Sequence, residues 1–306
     1  MKILLLGGNG YIGSRLYPYL KLAGHDVVNY DLNWFGQFIE SDHIQGDFKD
    51  VGDISIELSD VIILLAGHSS VKMCIDDYYS SYNNNVRNTI QLIERIRRIN
   101  PRAKFIYASS SSIYGNTEGK IEDETKEEFV CSNNYDLTKY IVDQYMIKNN
   151  PIPNWYALRF GTVNGFSPNF RSELMINSMT KSAMENKEIV ITNKHIHRAI
   201  LSITDLCDVI AHIIKKGTSE NSGIYNINSL NSTVEEIANV VASVTNSTIV
   251  DRGNVGTTYD FMISNKKFET AFNFKFDQTI EDIVREITLG YKYINMTTRN
   301  SGVLYE

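Results

Sequence analysis

The chain has 306 residues, of which 42% are hydrophobic and 22% charged, and its formal net charge is -6. This length and composition are typical of one large α/β unit or of two apposed domains, and they exclude a small disulfide-stapled scaffold and a wholly disordered chain. The acidic balance gives no electrostatic footprint for a phosphate backbone, so we expect no nucleic-acid partner.

The spacing of the cysteines and the length of the apolar runs indicate in which cellular compartment the protein lies. Cys74, Cys131 and Cys207 are far apart and have no CxxC spacing, so the sequence predicts neither a disulfide framework nor a metal site. The apolar run after Met1 is broken by glycine too early for a signal peptide, and no apolar stretch approaches the roughly 18 residues of a membrane span. We therefore expect a cytoplasmic protein without a membrane partner.

Short apolar runs alternate with helical patterns in the first half of the chain. The runs are KILLLG, HDVVNYD, DVIILLAG, KFIYASS and NWYALRF. This alternation predicts βαβ units and a buried parallel sheet. Apolar side chains that recur every three or four residues from Val86 to Ile99 predict a helix that ends at Asn100. A second helix is predicted after Asn134, and Pro151 marks its end.

The pattern changes after about residue 160 to loops rich in Asn, Ser, Phe and Pro. Helices are predicted near 172–185, 233–245 and 279–291, the second of them preceded by the overlapping cap signals Ser232-x-x-Glu235 and Thr233-x-x-Glu236. A segment at about 198–217 is predicted to be a strand and a helix that return to the first domain. We therefore predict an α/β protein with one domain over 1–160 and a smaller mixed α/β domain over 161–306, apart from that segment.

The first predicted strand leads into a glycine-rich turn, GGNGYIG at residues 7–13, which matches both GxxGxxG and GxGxxG. A dinucleotide pyrophosphate needs such a turn, because the backbone must approach it closely and helix N-terminal amides must face it. Asp31 ends the second strand at about the spacing expected for a ribose-binding carboxylate. That carboxylate repels a 2′-phosphate, so we predict NAD and a Rossmann-type doubly wound parallel sheet; the alternative is that Asp31 only caps a turn.

A Tyr-x-x-x-Lys pattern, Tyr135 to Lys139, stands at the start of the second predicted helix, where residues four apart share one face. For tyrosine to act as a base near neutral pH, its pKa must fall by about three, or roughly 4 kcal/mol of preferential phenolate stabilisation. A lysine and a cationic nicotinamide ring can supply this together. On its own the pattern is equally typical of a surface helix pair, but a strand that ends in four serines, Ser109 to Ser112, precedes it.

Taken together, GGNGYIG, the Gly46-Asp47 pair, YASSSSIYG, YDLTK and LRFGTVNG resemble the extended short-chain dehydrogenase/reductase family, specifically nucleotide-sugar epimerases and dehydratases of the UDP-glucose 4-epimerase type. The resemblance covers nearly the whole chain. It implies that Ser110 hydrogen-bonds the reacting sugar hydroxyl, with Ser111 as an alternative, and that Tyr135 removes the proton. It also implies that Lys139 binds the nicotinamide ribose and lowers the pKa of the tyrosine.

The resemblance also implies the binding residues and the oligomeric state. The cofactor-binding residues are Gly7, Gly10, Tyr11, Ile12, Gly13, Asp31, Asp47, Phe48, Leu65, Ala66, Gly67, Tyr135, Lys139 and Phe160, with Asp47 at the adenine. The substrate-binding residues are Ser111, Thr162, Asn177, Arg198, Arg252 and Tyr259. Asn177 and the two arginines are expected at the substrate diphosphate, because the guanidinium fork matches phosphate oxygens; a surface role is an equal alternative for each arginine. A homodimer is expected through the helices near 78–99 and 134–149.

The residues that follow the predicted catalytic serine, Ser110, indicate which reaction the protein catalyses. Sugar 4,6-dehydratases of this family carry an Asp-Glu pair there, whereas this chain has Ser111 and Ser112, which disfavours dehydration and, likewise, decarboxylation. We therefore predict an NAD-dependent 4-epimerase of a nucleotide-diphosphate sugar, with surface polysaccharide biosynthesis as the natural setting. A 4-dehydrogenase or 4-ketoreductase remains an alternative. So do a dehydrogenase of small substrates and an NAD-sensing regulator, although a regulator needs neither Tyr135 nor Lys139.

Overall fold

The computed structural model describes residues 1–256 and 259–294, and strands and helices alternate along most of this length. The strands are β1 (Lys2–Leu6), β2 (Asp26–Asp31), β3 (His43–Gln45), β4 (Val61–Leu64), β5 (Lys104–Ser110), β6 (Ile121–Glu122), β7 (Trp155–Phe160), β8 (Thr162–Asn164), β9 (Glu188–Ile191), β10 (His197–Ser202), β11 (Gly223–Ile227), β12 (Leu230–Thr233), β13 (Thr248–Asp251) and β14 (Met262–Ile263). The α-helices are α1 (Tyr11–Leu22), α2 (Asp53–Glu57), α3 (Val71–Asp76), α4 (Tyr78–Tyr82), α5 (Thr89–Ile99), α6 (Asn134–Asn149), α7 (Met175–Asn186), α8 (Ile203–Lys216), α9 (Val234–Thr245), α10 (Lys266–Phe272) and α11 (Ile280–Ile294). A π-helical segment, Asn83–Asn88, joins α4 to α5.

A seven-stranded sheet, counted over the described residues, forms the first domain in the order β11-β7-β5-β4-β1-β2-β3. Each neighbouring pair is parallel, which confirms the predicted doubly wound α/β fold. The sheet is covered on both faces, since alternate residues of β1 pack into two different hydrophobic clusters. The chain order reverses between β1 and β4, so the loops after these strands diverge and leave a crevice at the carboxyl edge of the sheet.

The second domain is built from short strands and from helices that bury their apolar faces against one another. Strands β12, β10 and β8 form a separate three-stranded sheet, and α7, α9 and α11 pack together beside it. These are the three helices that were predicted, and Thr233 and Glu236 form the predicted capping box at the start of α9. No helix within residues 1–256 and 259–294 is long and apolar enough to cross a membrane.

The segment at 198–217 returns to the first domain only in part. Its helix, α8, packs against α1, but its strand, β10, pairs with β8 and β12 and does not join the large sheet. The strand that returns is β11, which pairs in parallel with β7 at the edge of the sheet. Both strands are short and apolar, so hydrophobic pattern could not distinguish which one joins which sheet.

Candidate active site

The glycine turn after β1 allows three backbone segments to meet. Gly7 adopts a φ of 96°, and a Cβ there would lie 2.4 Å from the Ala66 nitrogen at the end of β4. A Cβ on Gly13 would lie 2.3 Å from the Gly7 carbonyl oxygen. Gly10 begins α1 without a side-chain cap, which leaves the first amide groups of the helix for an anionic ligand.

These segments border a cleft at the carboxyl edge of the sheet, with about 840 Å³ of empty space, part of it open to solvent. Among its lining residues are most of those predicted to bind the cofactor, namely Gly7, Gly10, Tyr11, Ile12, Gly13, Asp31, Phe48, Leu65, Ala66 and Gly67. The structure therefore brings the glycine turn, the end of β2 and the end of β4 around one elongated cleft, hereafter called the cofactor cleft.

Asp31 stands at the end of β2 and faces this cleft. Its Oδ2 accepts the Asn9 backbone N–H at 2.9 Å, and its Oδ1 accepts the Asn33 backbone N–H at 2.7 Å. Burial raises the pKa of the carboxyl, and these hydrogen bonds oppose the rise. Each oxygen keeps a second lone pair for a ribose hydroxyl. A carboxylate, a close glycine turn and uncapped helix amides together fit NAD.

Asp47 does not line the cofactor cleft with the others. Its side chain accepts the Lys49 backbone N–H and pairs with the Lys49 ammonium at 3.1 Å. It borders a neighbouring cleft instead, together with Trp34 and His68. A local turn and an ion pair thus engage the carboxylate of Asp47, and its contact with the adenine stays a prediction.

The catalytic residues predicted from the sequence lie together at the end of β5 and the start of α6. Tyr135 and Lys139 occupy the first turns of α6, and Ser110, at the end of β5, is close enough to lower the pKa of the Tyr135 phenol. The Lys139 ammonium donates to the Ala108 carbonyl oxygen at 2.8 Å and lies 5.8 Å from the centre of the Tyr135 ring. The three side chains thus lie together, and their part in proton transfer at a carbinol stays a prediction.

Burial dominates the protonation of this group. It raises the pKa of Tyr135 to about 12, although the hydrogen bond from Ser110 and the charge of Arg171 lower it. Burial also lowers the pKa of Lys139 to about 8. The protein alone therefore keeps the phenol protonated, and a further positive charge close to it is needed before the phenol can serve as a base near neutral pH.

Arg171 is a cleft residue that the sequence analysis missed. It comes from the loop between β8 and α7, lines the cofactor cleft, and forms an ion pair with Glu173 at 2.8 Å. Its charge lowers the pKa of both Tyr135 and Tyr11. No sequence signal marks this arginine, since the path of its loop depends on how the second domain packs on the first.

Two predicted substrate residues have their polar groups turned into the protein. The Ser111 hydroxyl, which is 1% exposed, donates to the Phe160 carbonyl oxygen at 2.7 Å and ties β5 to β7. The amide of the fully buried Asn177 donates to the Arg171 carbonyl and accepts the Gly165 backbone N–H. The polar groups of Ser111 and Asn177 thus have partners inside the protein, and the substrate role of these two residues stays a prediction.

The remaining predicted residues lie on different elements. Thr162 begins β8 and Phe160 ends β7 beside Ser110. Arg198, on β10, is half-buried near Tyr259, whose hydroxyl donates to Oδ2 of Asp136 at 2.6 Å. Arg252 is exposed after β13, and none of its described contacts joins it to Arg198. The structure thus brings Arg198 and Tyr259 together near α6, and the substrate role of Arg252 stays a prediction.

Comparison with known proteins gives a family and a set of related folds. The family model described as "NAD dependent epimerase/dehydratase family" matches residues 3–228. The chain is 27% identical over 176 residues to CDP-paratose 2-epimerase of Salmonella typhi, covering 48% of this chain and only 52% of the relative. It is 31% identical over 130 residues to UDP-glucose 4-epimerase of Klebsiella pneumoniae, covering 38% of this chain and 93% of the relative.

A solved structure extends the similarity over the whole fold. UDP-glucuronic acid 4-epimerase from Bacillus cereus, in complex with UDP-glucuronic acid and NAD, superimposes with a TM-score of 0.80 at 22% identity. The match covers 97% of this chain and 99% of that chain. At this identity the likeness shows a shared fold.

Proposed function

The chain belongs to the NAD dependent epimerase/dehydratase family, and we propose that it is an NAD-dependent 4-epimerase of a nucleotide-diphosphate sugar, acting through a 4-keto intermediate. The observation that carries this proposal is the meeting of Ser110, Tyr135 and Lys139 where β5 ends and α6 begins. Reaction at C4 of the sugar is our proposal and not a property of the whole family. The relatives named above include a 2-epimerase as well as 4-epimerases.

The chain's own residues bind the cofactor and position the sugar. The N-terminus of α1 receives the pyrophosphate and Asp31 the ribose hydroxyls. When bound, NAD supplies the hydride acceptor and later the hydride donor. Ser110 orients the sugar hydroxyl and Tyr135 takes its proton, while the Lys139 ammonium holds a second ribose and favours the phenolate.

The surroundings of the serine run support carbinol oxidation over water elimination. Elimination at C5 and C6 needs an additional acid and base next to the catalytic serine. The side chains that follow Ser110 are the inward-facing Ser111 and then Ser112, whose hydroxyl donates to Asp136 at 2.6 Å. Neither serine supplies the acid or the base that elimination requires.

The test is a panel of UDP-, GDP-, CDP- and dTDP-sugars, followed by the absorbance of reduced nicotinamide and by NMR of the product. We expect a C4 epimer to form while reduced nicotinamide stays below one equivalent of enzyme. Stoichiometric reduction with release of a ketone would identify the single-transfer 4-dehydrogenase instead. Failure to convert any sugar nucleotide, or inversion only at C2, would contradict the proposal.

Substitution of Tyr135 connects the activity to this site. Tyr135→Phe deletes one oxygen and no packing volume, so we expect turnover to fall by at least about 10² while the fold and NAD affinity persist. Tyr140→Phe is the matched control, because Tyr140 lies on the same helix with its ring against Phe129. Normal turnover in Tyr135→Phe would remove the mechanism even if the fold assignment survived.

A further inference from the structure

One positively charged side chain reaches the cofactor cleft from the second domain. Among the described residues that line this cleft, Asp31 and Arg171 carry the only charged side chains. Arg171 lies in the loop between β8 and α7, and its side chain is only 13% exposed. Burial of a guanidinium is costly unless anionic groups face it. The cleft thus holds one arginine that is suited to meet an anionic ligand.

The contacts of the Arg171 side chain connect the second domain with the loop after β4. Nε donates to Oε1 of Glu173 at 2.8 Å, and Nη1 donates to the carbonyl oxygen and Oγ of Ser69 at 3.4 Å and 3.5 Å. Ser69 follows β4 and also lines the cleft. Because a guanidinium has five N–H donors, these contacts leave the two N–H groups of Nη2 for a ligand.

Buried hydrogen bonds fix the segment that carries Arg171, residues 165–171, to the glycine turn. The Ser167 hydroxyl donates to the Tyr11 carbonyl oxygen at 2.6 Å, and the Asn169 amide donates to the Asn9 carbonyl oxygen at 2.7 Å. Both Ser167 and Asn169 are fully buried. The segment therefore packs against the same turn and helix start that we predict to receive the pyrophosphate.

Asn177 closes this segment at both ends. Its Oδ1 accepts the Gly165 backbone N–H at 2.9 Å, and its Nδ2 donates to the Arg171 carbonyl oxygen at 2.9 Å. Nδ2 also donates to the Tyr11 hydroxyl at 3.2 Å, and that hydroxyl donates to the Gly165 carbonyl oxygen at 2.7 Å. The backbone of Arg171 is therefore held in register with α1, which begins at Tyr11.

The charge balance of the cleft indicates which part of the cofactor Arg171 meets. NAD carries its negative charge on its pyrophosphate. A helix N-terminus supplies only about half an elementary charge, which is less than a pyrophosphate carries, and Asp31 adds a negative charge to the same cleft. A guanidinium forms paired hydrogen bonds with phosphate oxygens. Arg171 thus supplies the positive charge and the paired donors that the glycine turn lacks.

We propose that Arg171 is a cofactor-binding residue contributed by the second domain, and that its guanidinium binds the pyrophosphate of NAD. The diphosphate of a sugar nucleotide has the same chemistry. NAD is favoured because Arg171 shares its cleft with the glycine turn and with Asp31. The inference goes beyond the proposed function, since it requires NAD in the cleft and holds whichever sugar carbon reacts.

Titration of cofactor-stripped protein with NAD and with ADP tests this contact without turnover. Arg171→Gln should raise the Kd of both ligands by at least about tenfold, because a hydrogen bond to a charged group is lost. Arg171→Lys keeps the charge without the planar fork and should recover part of the affinity. Arg102→Gln is the matched control, since Arg102 is exposed in the turn before β5, at the opposite edge of the sheet.

Adenosine, which has no phosphate, separates a pyrophosphate contact from a general disturbance of the cleft. Its Kd should be the same for Arg171→Gln and the wild type. Equal Kd values of NAD for Arg171→Gln and Arg102→Gln would overturn the proposal, and so would a loss of adenosine affinity equal to that of ADP. An unchanged Kd of NAD together with a raised KM for the sugar nucleotide would assign Arg171 to the substrate diphosphate instead. Failure of the sugar panel leaves these titrations unaffected, so the two proposals fail separately.

Discussion

Oδ2 of Asp31 accepts the backbone N–H of Asn9 at 2.9 Å, so the end of β2 is joined to the glycine turn by a direct hydrogen bond. Asn9 in turn accepts the backbone N–H groups of Phe38 and Ile39 through its own Oδ1, each at 2.9 Å. The carboxylate that we predict to select the cofactor therefore also holds the turn that we predict to receive the pyrophosphate. A change at Asp31 should affect affinity as well as selectivity.

Asp31→Asn should weaken NAD binding by about tenfold and reduce the preference for NAD over NADP. The substitution removes the charge that strengthens hydrogen bonds from ribose hydroxyls and repels a 2′-phosphate. Titration of both cofactors into stripped protein measures this, and Asp42→Asn is the matched control because Asp42 is exposed and pairs with Lys21. Equal affinities of the wild type for NAD and NADP would contradict the role given to Asp31.

Gly13→Ala should abolish NAD binding and lower the melting temperature. The new Cβ would lie 2.3 Å from the Gly7 carbonyl oxygen and 2.5 Å from the Gly8 Cα, and both are backbone atoms that cannot rotate away. Gly52→Ala provides the comparison, since its φ is −64° and no atom lies within 4 Å of the added Cβ. Calorimetry of both variants with NAD would show whether the close approach at Gly13 is needed.

The parts of the fold that the sequence predicted have strong local signals. Strands β1, β2, β4, β5 and β7 coincide with the apolar runs, because strands buried on both faces carry continuous hydrophobic sequence. Strand β3, His43–Gln45, lies outside these apolar runs, because it is a three-residue edge strand with polar ends. Strand β11 was missed because its return depends on pairing with β7, which is a long-range contact.

The candidate site was predictable where a motif fixed both residue type and position. The strand pattern could not predict which way Ser111 faces, because β5 ends at Ser110 and Ser111 begins a 3-10 turn, Ser111–Tyr114. No comparable signal identified Asp136 as a buried group. Its burial depends on Tyr259, which is far away in sequence and reaches Asp136 only after the second domain has packed.

The prediction of a homodimer through α4–α5 and α6 leads to a surface variant. Tyr79 on α4 is 77% exposed, and Tyr78 on the same helix and Ile147 on α6 are also exposed. Tyr79→Asp should convert a dimer to a monomer in light scattering, because it introduces a charge into an apolar contact. Leu289→Asp, on α11 and 79% exposed, should leave the dimer intact. A wild type that scatters as a 34.8 kDa particle at micromolar concentration would contradict the interface.

Lys139→Met should stabilise the cofactor-free protein although it removes activity. Burial lowers the pKa of this lysine to about 8, whereas in the unfolded chain it titrates near 10.5. The unfolded state therefore binds more protons between these values, so the free energy of unfolding of the wild type rises with pH in that window. Below about pH 8 the lysine is charged in both states, and the folded protein carries the full cost of burying the ammonium.

Thermal unfolding without NAD, measured from pH 7 to pH 10, tests whether the stability of the wild type rises with pH as expected. Lys139→Met should melt higher than the wild type at pH 7, and the difference should shrink as the pH rises above about 8. Lys148→Met on the exposed end of α6 should change neither stability nor its pH dependence. Saturating NAD should raise the melting temperature of the wild type more than that of Lys139→Met. The reason is that a ligand stabilises the folded protein more, the more tightly it binds. A Lys139→Met protein that melts below the wild type at pH 7 would show that the hydrogen bond to Ala108 outweighs the cost of the buried charge.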